Sequence, residues 1–161
     1  MTSREDVARA MAFFESTDDI ALLHRLVAEV ATRARTLVGQ YLATGTEETI
    51  PPPAEIRPAR QSATSDEAVR ALRSTQDFAL LQAMARSIGN RIEAIEIVAS
   101  AEFPEGARLV VPLKVAYPAH GPTAAGTVEA TGTSLRVLLD NGETWEGPPS
   151  LARHEPPESP G

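Results

Sequence analysis

Four times in its first half the chain places a hydroxyl residue three positions before an acid: Ser3…Asp6, Ser16…Asp19, Thr64…Glu67 and Ser74…Asp77. This is capping-box spacing. The hydroxyl accepts a hydrogen bond from an orphan N–H of the first helical turn, and the acid reaches back to the cap. An acid there also suits the positive end of the helix dipole. The boxes come in two pairs, each predicting a short helix and then a longer one. The second box of each pair is nearly the same text: Ser16-Thr17-Asp18-Asp19-Ile20-Ala21-Leu22-Leu23 against Ser74-Thr75-Gln76-Asp77-Phe78-Ala79-Leu80-Leu81. A duplicated helix pair is therefore expected. The repeat specifies an architecture and no chemistry.

Apolar spacing fills in the helices. Val7, Ala10, Met11 and Phe14 share one face of a first helix over about 4–14. A second helix is predicted from just after Ser16 to near Gly45, which can take the left-handed C-terminal position. Its seam is Leu23, Val27, Val30, Ala34, Leu37 and Tyr41. Ile50-Pro51-Pro52-Pro53 cannot be helical, since proline lacks a donor and restricts its predecessor. Residues 46–63 are accordingly read as an extended spacer. Helices three and four are predicted over about 66–73 and 75–88, with Gly89-Asn90 as the stop.

From there the period falls to two. Arg91–Val98 alternates in part between β-branched residues and acids and is read as a first strand. The rival reading continues helix four through it. Further strands are expected at 108–117, 125–130, 135–139 and 143–147. Pro112 asks for an edge position or a bulge, and Asn141-Gly142 is a hairpin signal. Pro148–Arg153 fits one short helical turn. The fold class is α+β: helix pairs over 1–45 and 64–90, an antiparallel β domain over 91–154 as a five-stranded meander or barrel, and a tail over 155–161. Gly126-Thr127-Val128-Glu129 through Arg136–Gly142 resembles the middle strands of small Tudor- or KOW-type barrels. That resemblance implies a closed barrel binding nucleic acid, methylated side chains or proteins, and does not choose among them.

Composition removes several classes. The chain has 161 residues, 42% apolar and 23% charged, as in globular proteins. No apolar run approaches the roughly 18 residues that cross a bilayer. The start is acidic and polar, unlike a signal peptide, and there is no cysteine, so a cytoplasmic protein is expected. Fourteen of the fifteen basic residues are Arg, with Lys114 the exception, a bias of GC-rich bacterial or phage genomes.

No catalytic, metal or cofactor site is expected. His24, His120 and His154 are far apart and are read as surface residues. Ser150 is read as a cap for the last turn. The acid pairs Asp18/Asp19, Glu47/Glu48, Glu93/Glu96 and Glu143/Glu146 all have plainer structural roles. No glycine loop suits a phosphate.

Partner binding remains. A second helix of about 26 residues is about 39 Å long, against about 21 Å for the fourth. Ala34, Leu37, Val38, Tyr41 and Leu42 would then form an exposed apolar stripe, which isolated domains avoid. The sequence therefore predicts a non-enzymatic adaptor. It would dimerise through that stripe and present an acidic β domain, with Tyr117 and Trp145 as possible contacts, to a protein partner. The alternative is a nucleic-acid-associated regulator using Arg25, Arg33, Arg35, Arg57 and Arg60. A net charge of −7 disfavours it.

Overall fold

A computed structural model describes residues 2–43 and 53–156 of the chain. Four helices come first: α1 (Arg4–Ser16), α2 (Ile20–Ala43), α3 (Ser65–Ser74) and α4 (Phe78–Ser100). Five strands follow: β1 (Arg108–Pro112), β2 (Thr123–Ala130), β3 (Leu135–Leu139), β4 (Thr144–Gly147) and β5 (Arg153–His154). A 3-10 turn at Pro149–Leu151 precedes β5, where a short helical turn was expected. The α+β class is as the sequence predicts. The chain divides into a helical unit up to Ile92 and a β unit from Glu93 onward.

Two of the four capping boxes form as drawn. Ser3 and Asp6 cap α1 reciprocally, and Thr64 and Glu67 cap α3. The N–H and hydroxyl of Ser3 hold the Asp6 carboxyl below its ordinary range, and those of Thr64 do the same for Glu67. The other two boxes are displaced. Ser16 and Ser74 end the short helices, each hydroxyl donating four residues back, to Ala12 O and Arg70 O. The acids cap the long helices themselves: Asp19 Oδ1 accepts from Leu22 N–H at 3.0 Å and Asp77 Oδ1 from Ala79 N–H at 2.9 Å. An aspartate is as good an N-cap as serine, so each long helix begins after its acid.

The duplication reaches tertiary structure. Arg33 of α2 donates Nε and Nη2 to the carbonyl of Thr75, at 3.0 and 2.7 Å, in the elbow between α3 and α4. Arg91 of α4 donates Nε to the carbonyl of Thr17 at 2.8 Å, in the elbow between α1 and α2. The same interval, 58 positions, separates Thr17 from Thr75 and Arg33 from Arg91. Each hairpin thus clamps the other's elbow, around a core that includes Phe14, Leu23, Leu26, Leu72, Leu81, Met84 and Ile88.

Two expectations about this unit are corrected. Residues 91–98 are helix, not strand. Ile92, Ile95 and Ala99 are half-buried and Glu96 is buried, at helical spacing, while 93, 94, 97 and 98 are exposed. Gly89 sits inside α4 with open space around it, at a cost of about 1 kcal/mol that packing overrides. The segment 53–63 is also no free spacer. Ala54 N–H donates to Ala79 O, Ala59 N–H to Ala8 O and Ala63 N–H to Arg9 O, tying it to α1 and α4. Gly45, Pro51 and Pro52 lie outside the described residues.

The sheet order is β4-β3-β2-β1-β5, all antiparallel. The implied barrel is corrected: β4 and β5 are opposite edges of an open sheet. Leu135, Val137 and Leu139 alternate inward along β3, and Trp145 and Gly147 do so along β4. Gly142, at φ 91°, makes the turn between them. Pro112 pairs with Thr123 beyond the reach of β5, which opposes only Leu109 and Val110, so its missing donor is not needed.

Gly126 lies between β1 and β3, where a Cβ would come within 2.6 Å of Leu138 O and 2.7 Å of Val137 Cγ1. Backbone on a central strand cannot yield cheaply. Gly126→Ala is therefore expected to cost about 2 kcal/mol, read as a lower urea midpoint at unchanged slope. An unchanged midpoint would mean that the β2–β3 register differs.

Candidate functional site

Two recesses open between α2 and α3. The first, of about 410 Å³, is lined by Arg25, Ala28, Glu29, Thr32, Arg33 and Thr36 of α2, with Leu72 and Arg73 of α3. These α2 residues recur every three or four positions, forming a strip beside the buried face of Leu22, Leu23 and Leu26. The second, of about 480 Å³, shares Arg25 and Arg73 and adds Asp66, Val69 and Arg70 of α3. They adjoin at Arg25 and Arg73, and the groove so outlined is lined by Leu22, Ala28, Val69 and Leu72 with four guanidinium groups against two carboxyl groups. Arg33 is fixed by Thr75, and Arg73 by Glu29 at 2.6 and 3.3 Å. Arg25 and Arg70 are exposed and have no ion pair among the described residues.

The β unit holds a second constellation. Glu96 of α4 is 4% exposed, and its carboxyl group collects three donors. Ser150 N–H reaches Oε2 at 2.9 Å, the Tyr117 hydroxyl reaches Oε1 at 3.3 Å, and the Ser150 hydroxyl also donates to Oε1. The Tyr117 and Ser150 hydroxyls are hydrogen-bonded to each other. Ser150 is thus not the cap of its turn. Its oxygen is held by an acid, with no imidazole in the cluster to take its proton. The arrangement ties the 3-10 turn and the segment after β1 to the end of α4.

Burial pushes the Tyr117 phenol from 10.0 up to about 12, opposed by the Ser150 hydrogen bond and reinforced by Glu96. The folded unit therefore keeps this proton after the unfolded chain has lost it. The stabilisation is complete below pH 10.0 and is lost as pH rises through about 12. Of the two tyrosines, one should ionise late in an absorbance titration at high pH. Tyr117→Phe should remove that late phase, and its persistence in the variant would assign it to Tyr41.

The sequence-based candidates are dispersed. Arg25 and Arg33 line the groove. Arg35 instead donates to Ala31 O on its own helix at 3.3 Å, and Arg57 and Arg60 are exposed on the segment tied to α1 and α4. Leu37 is 2% exposed and Ala34 and Val38 are half-buried, while the side chains of Tyr41 and Leu42 lie outside the described residues. The supposed excess length of α2 is absent, because α4 has 23 residues against its 24.

Trp145 is 5% exposed, its indole N–H donating to Pro112 O at 2.8 Å, and Tyr117 packs on the same core, so neither forms a surface patch. His120 and His154 are exposed and His24 is half-buried. Arg70 and Arg73 were missed, since only the packing of α3 on α2 brings them beside Arg25. No group of histidine and acidic residues able to hold a metal occurs among the described residues. No helix of the described chain is long and apolar enough to cross a membrane. No family model, curated protein or solved structure matches this chain.

Proposed function

We propose that the protein is a non-enzymatic adaptor that holds a protein partner in the groove between α2 and α3. The observation that carries this reading is the groove itself: Leu22, Ala28, Val69 and Leu72 between two helices of one firmly cored unit, with the exposed Arg25, Arg70 and Arg73 among its lining residues. Rigid walls lower the ordering cost of binding. In this reading α2 works through the strip from Arg25 to Thr36 rather than through the stripe at 34–42, whose Leu37 serves the chain's own core. The β unit, with ten acids against four bases from Glu93 onward, offers a second, acidic surface.

A photo-cross-linking residue at Thr32, in cells, is expected to give a discrete adduct with a different protein, and one at the exposed Glu5 none. An adduct with a second copy of this chain would replace the adaptor with a self-associating protein. Absence of any adduct at Thr32 would overturn the reading. The nucleic-acid alternative is the weaker one. Of its five arginines only Arg25 and Arg33 meet, Arg33 is committed to Thr75, and no aromatic residue lines the groove for base stacking.

A further inference from the structure

We infer that a recess beside β1 and β5 binds a carboxylate carrying a short aliphatic group. The inference concerns the β unit alone and does not rest on the groove between α2 and α3. β5 is two residues long and pairs only with Leu109 and Val110 of β1. The chain before it, Pro149–Leu151, turns as a 3-10 helix instead of continuing along the strand. Pro112 has no N–H to offer a strand there, and its carbonyl accepts from the Trp145 indole at 2.8 Å. Neither of its backbone groups asks for a strand partner on that side, and β5 stops short of it. A recess of about 150 Å³ opens at this point, with Val110, Pro112 and Leu151 as apolar wall and His120, Thr123 and Arg153 as polar lining. The walls are held in place. Leu113 N–H donates to Pro122 O at 3.0 Å, closing the loop that carries His120, and Arg153 pairs with Val110 across the β1–β5 ladder. A site held this way loses little freedom on binding.

The polar groups say what would sit there. The β unit has ten acids against four bases, yet this recess is lined by a guanidinium, an imidazole and no acid. Arg153 is exposed and has no ion pair among the described residues. The acids nearby are engaged elsewhere: Glu155 with Arg108 at 2.9 and 3.2 Å, and Glu102 with His154 at 3.5 Å. His120 Nδ1 lies 3.0 Å from Pro118 O. A carbonyl only accepts, so Nδ1 carries the proton and Nε2 is the ring nitrogen left for a ligand. When the imidazole is protonated, Nε2 becomes a second donor beside the guanidinium. A guanidinium fork takes both oxygens of one carboxylate. The volume equals about five waters at about 30 Å³ each, which admits the carboxylate and a few carbons against Val110, Pro112 and Leu151. A fully polar anion gains nothing from that wall. The carboxylate can belong to a free small acid or to the end of a peptide chain.

The test follows the full chain by NMR at about pH 6, where an imidazole is mostly protonated, with ionic strength held constant. The probes are propionate, N-acetyl-Gly-Ala with a free carboxylate, the same dipeptide as its C-terminal amide, and inorganic phosphate. Both carboxylates are expected to shift the Arg153 Nε–H, the His120 ring protons and the Leu151 methyls to saturation, and the amide to shift none of them. Tighter binding of the dipeptide than of propionate assigns the recess to the ends of peptide chains; the reverse assigns it to free small acids. Arg153→Gln is an exposed change that leaves the fold intact. It should weaken both carboxylates about tenfold. No saturating shift by either carboxylate would overturn the inference, as would equal binding of the amide or unchanged affinity in Arg153→Gln. Phosphate bound as tightly as propionate would replace the carboxylate site with a plain anion site.

Discussion

Leu37→Asp is expected to unfold the helical unit rather than to split an oligomer. Leu37 is 2% exposed. Removing its side chain alone forfeits about 2–5 kcal/mol. A carboxyl group placed there must either stay charged without a partner or take up a proton, and both add to the loss. A total of about 4 kcal/mol or more is comparable to the whole stability of a small domain. The variant should lose most of its helical circular dichroism well below the wild-type melting temperature. Val27→Asp is the control. Val27 is on the same helix and 46% exposed, and a surface change of this kind stays within about 0.5 kcal/mol. A Leu37→Asp protein that melts like the wild type but has a lower mass by light scattering would mean that this leucine packs between chains, restoring the dimer stripe.

The length premise of the stripe fails, because it depended on where α4 ends. Gly89-Asn90 looks like a helix stop and Arg91–Val98 alternates well enough to pass for a strand. Both signals are local and worth about 1 kcal/mol. They lose to the burial of Ile92, Ile95, Glu96 and Ala99 and to the bond from Arg91 to Thr17 O. No inspection of neighbouring residues reveals that bond, since its ends are 74 positions apart.

Features that depend on three or four consecutive residues were legible: the caps at Ser3 and Thr64, the turn at Gly142, the alternation of β3. The repeated text of the two elbows was legible too, but its use was not. Thr17 and Thr75 matter for their carbonyls, which every residue has, and Arg33 and Arg91 stand out only once a common interval of 58 is noticed. The groove has the same origin. Arg25 on α2 and Arg70 and Arg73 on α3 become neighbours through packing, and each alone looks like an ordinary solvated charge.

Glu96→Ala is expected to be among the most damaging single changes in the β unit. Three donors converge on one buried carboxyl group: the Ser150 N–H at 2.9 Å, the Ser150 hydroxyl and the Tyr117 hydroxyl at 3.3 Å. Alanine removes the acceptor that both hydroxyls share and the one that the Ser150 N–H uses. An unsatisfied buried donor costs about 1–3 kcal/mol, so a loss of about 3 kcal/mol or more is expected. It should appear in urea unfolding followed by the fluorescence of Trp145, the one tryptophan of the chain.

The order of the variants carries the argument further than any single value. Glu96→Gln keeps the shape and one acceptor oxygen but turns an NH2 toward a donor, so it should fall between. Ser150→Ala and Tyr117→Phe each remove one hydroxyl, leave the backbone bond to Glu96 intact, and should cost about 1 kcal/mol each. Because all four groups act as one network, Glu96→Ala combined with Ser150→Ala should cost less than the sum of the two. Additive losses would mean that Glu96 is buried for its aliphatic stem alone. A Glu96→Ala penalty below about 1 kcal/mol would mean that water replaces the carboxyl group and that the end of α4 is not pinned to the 3-10 turn.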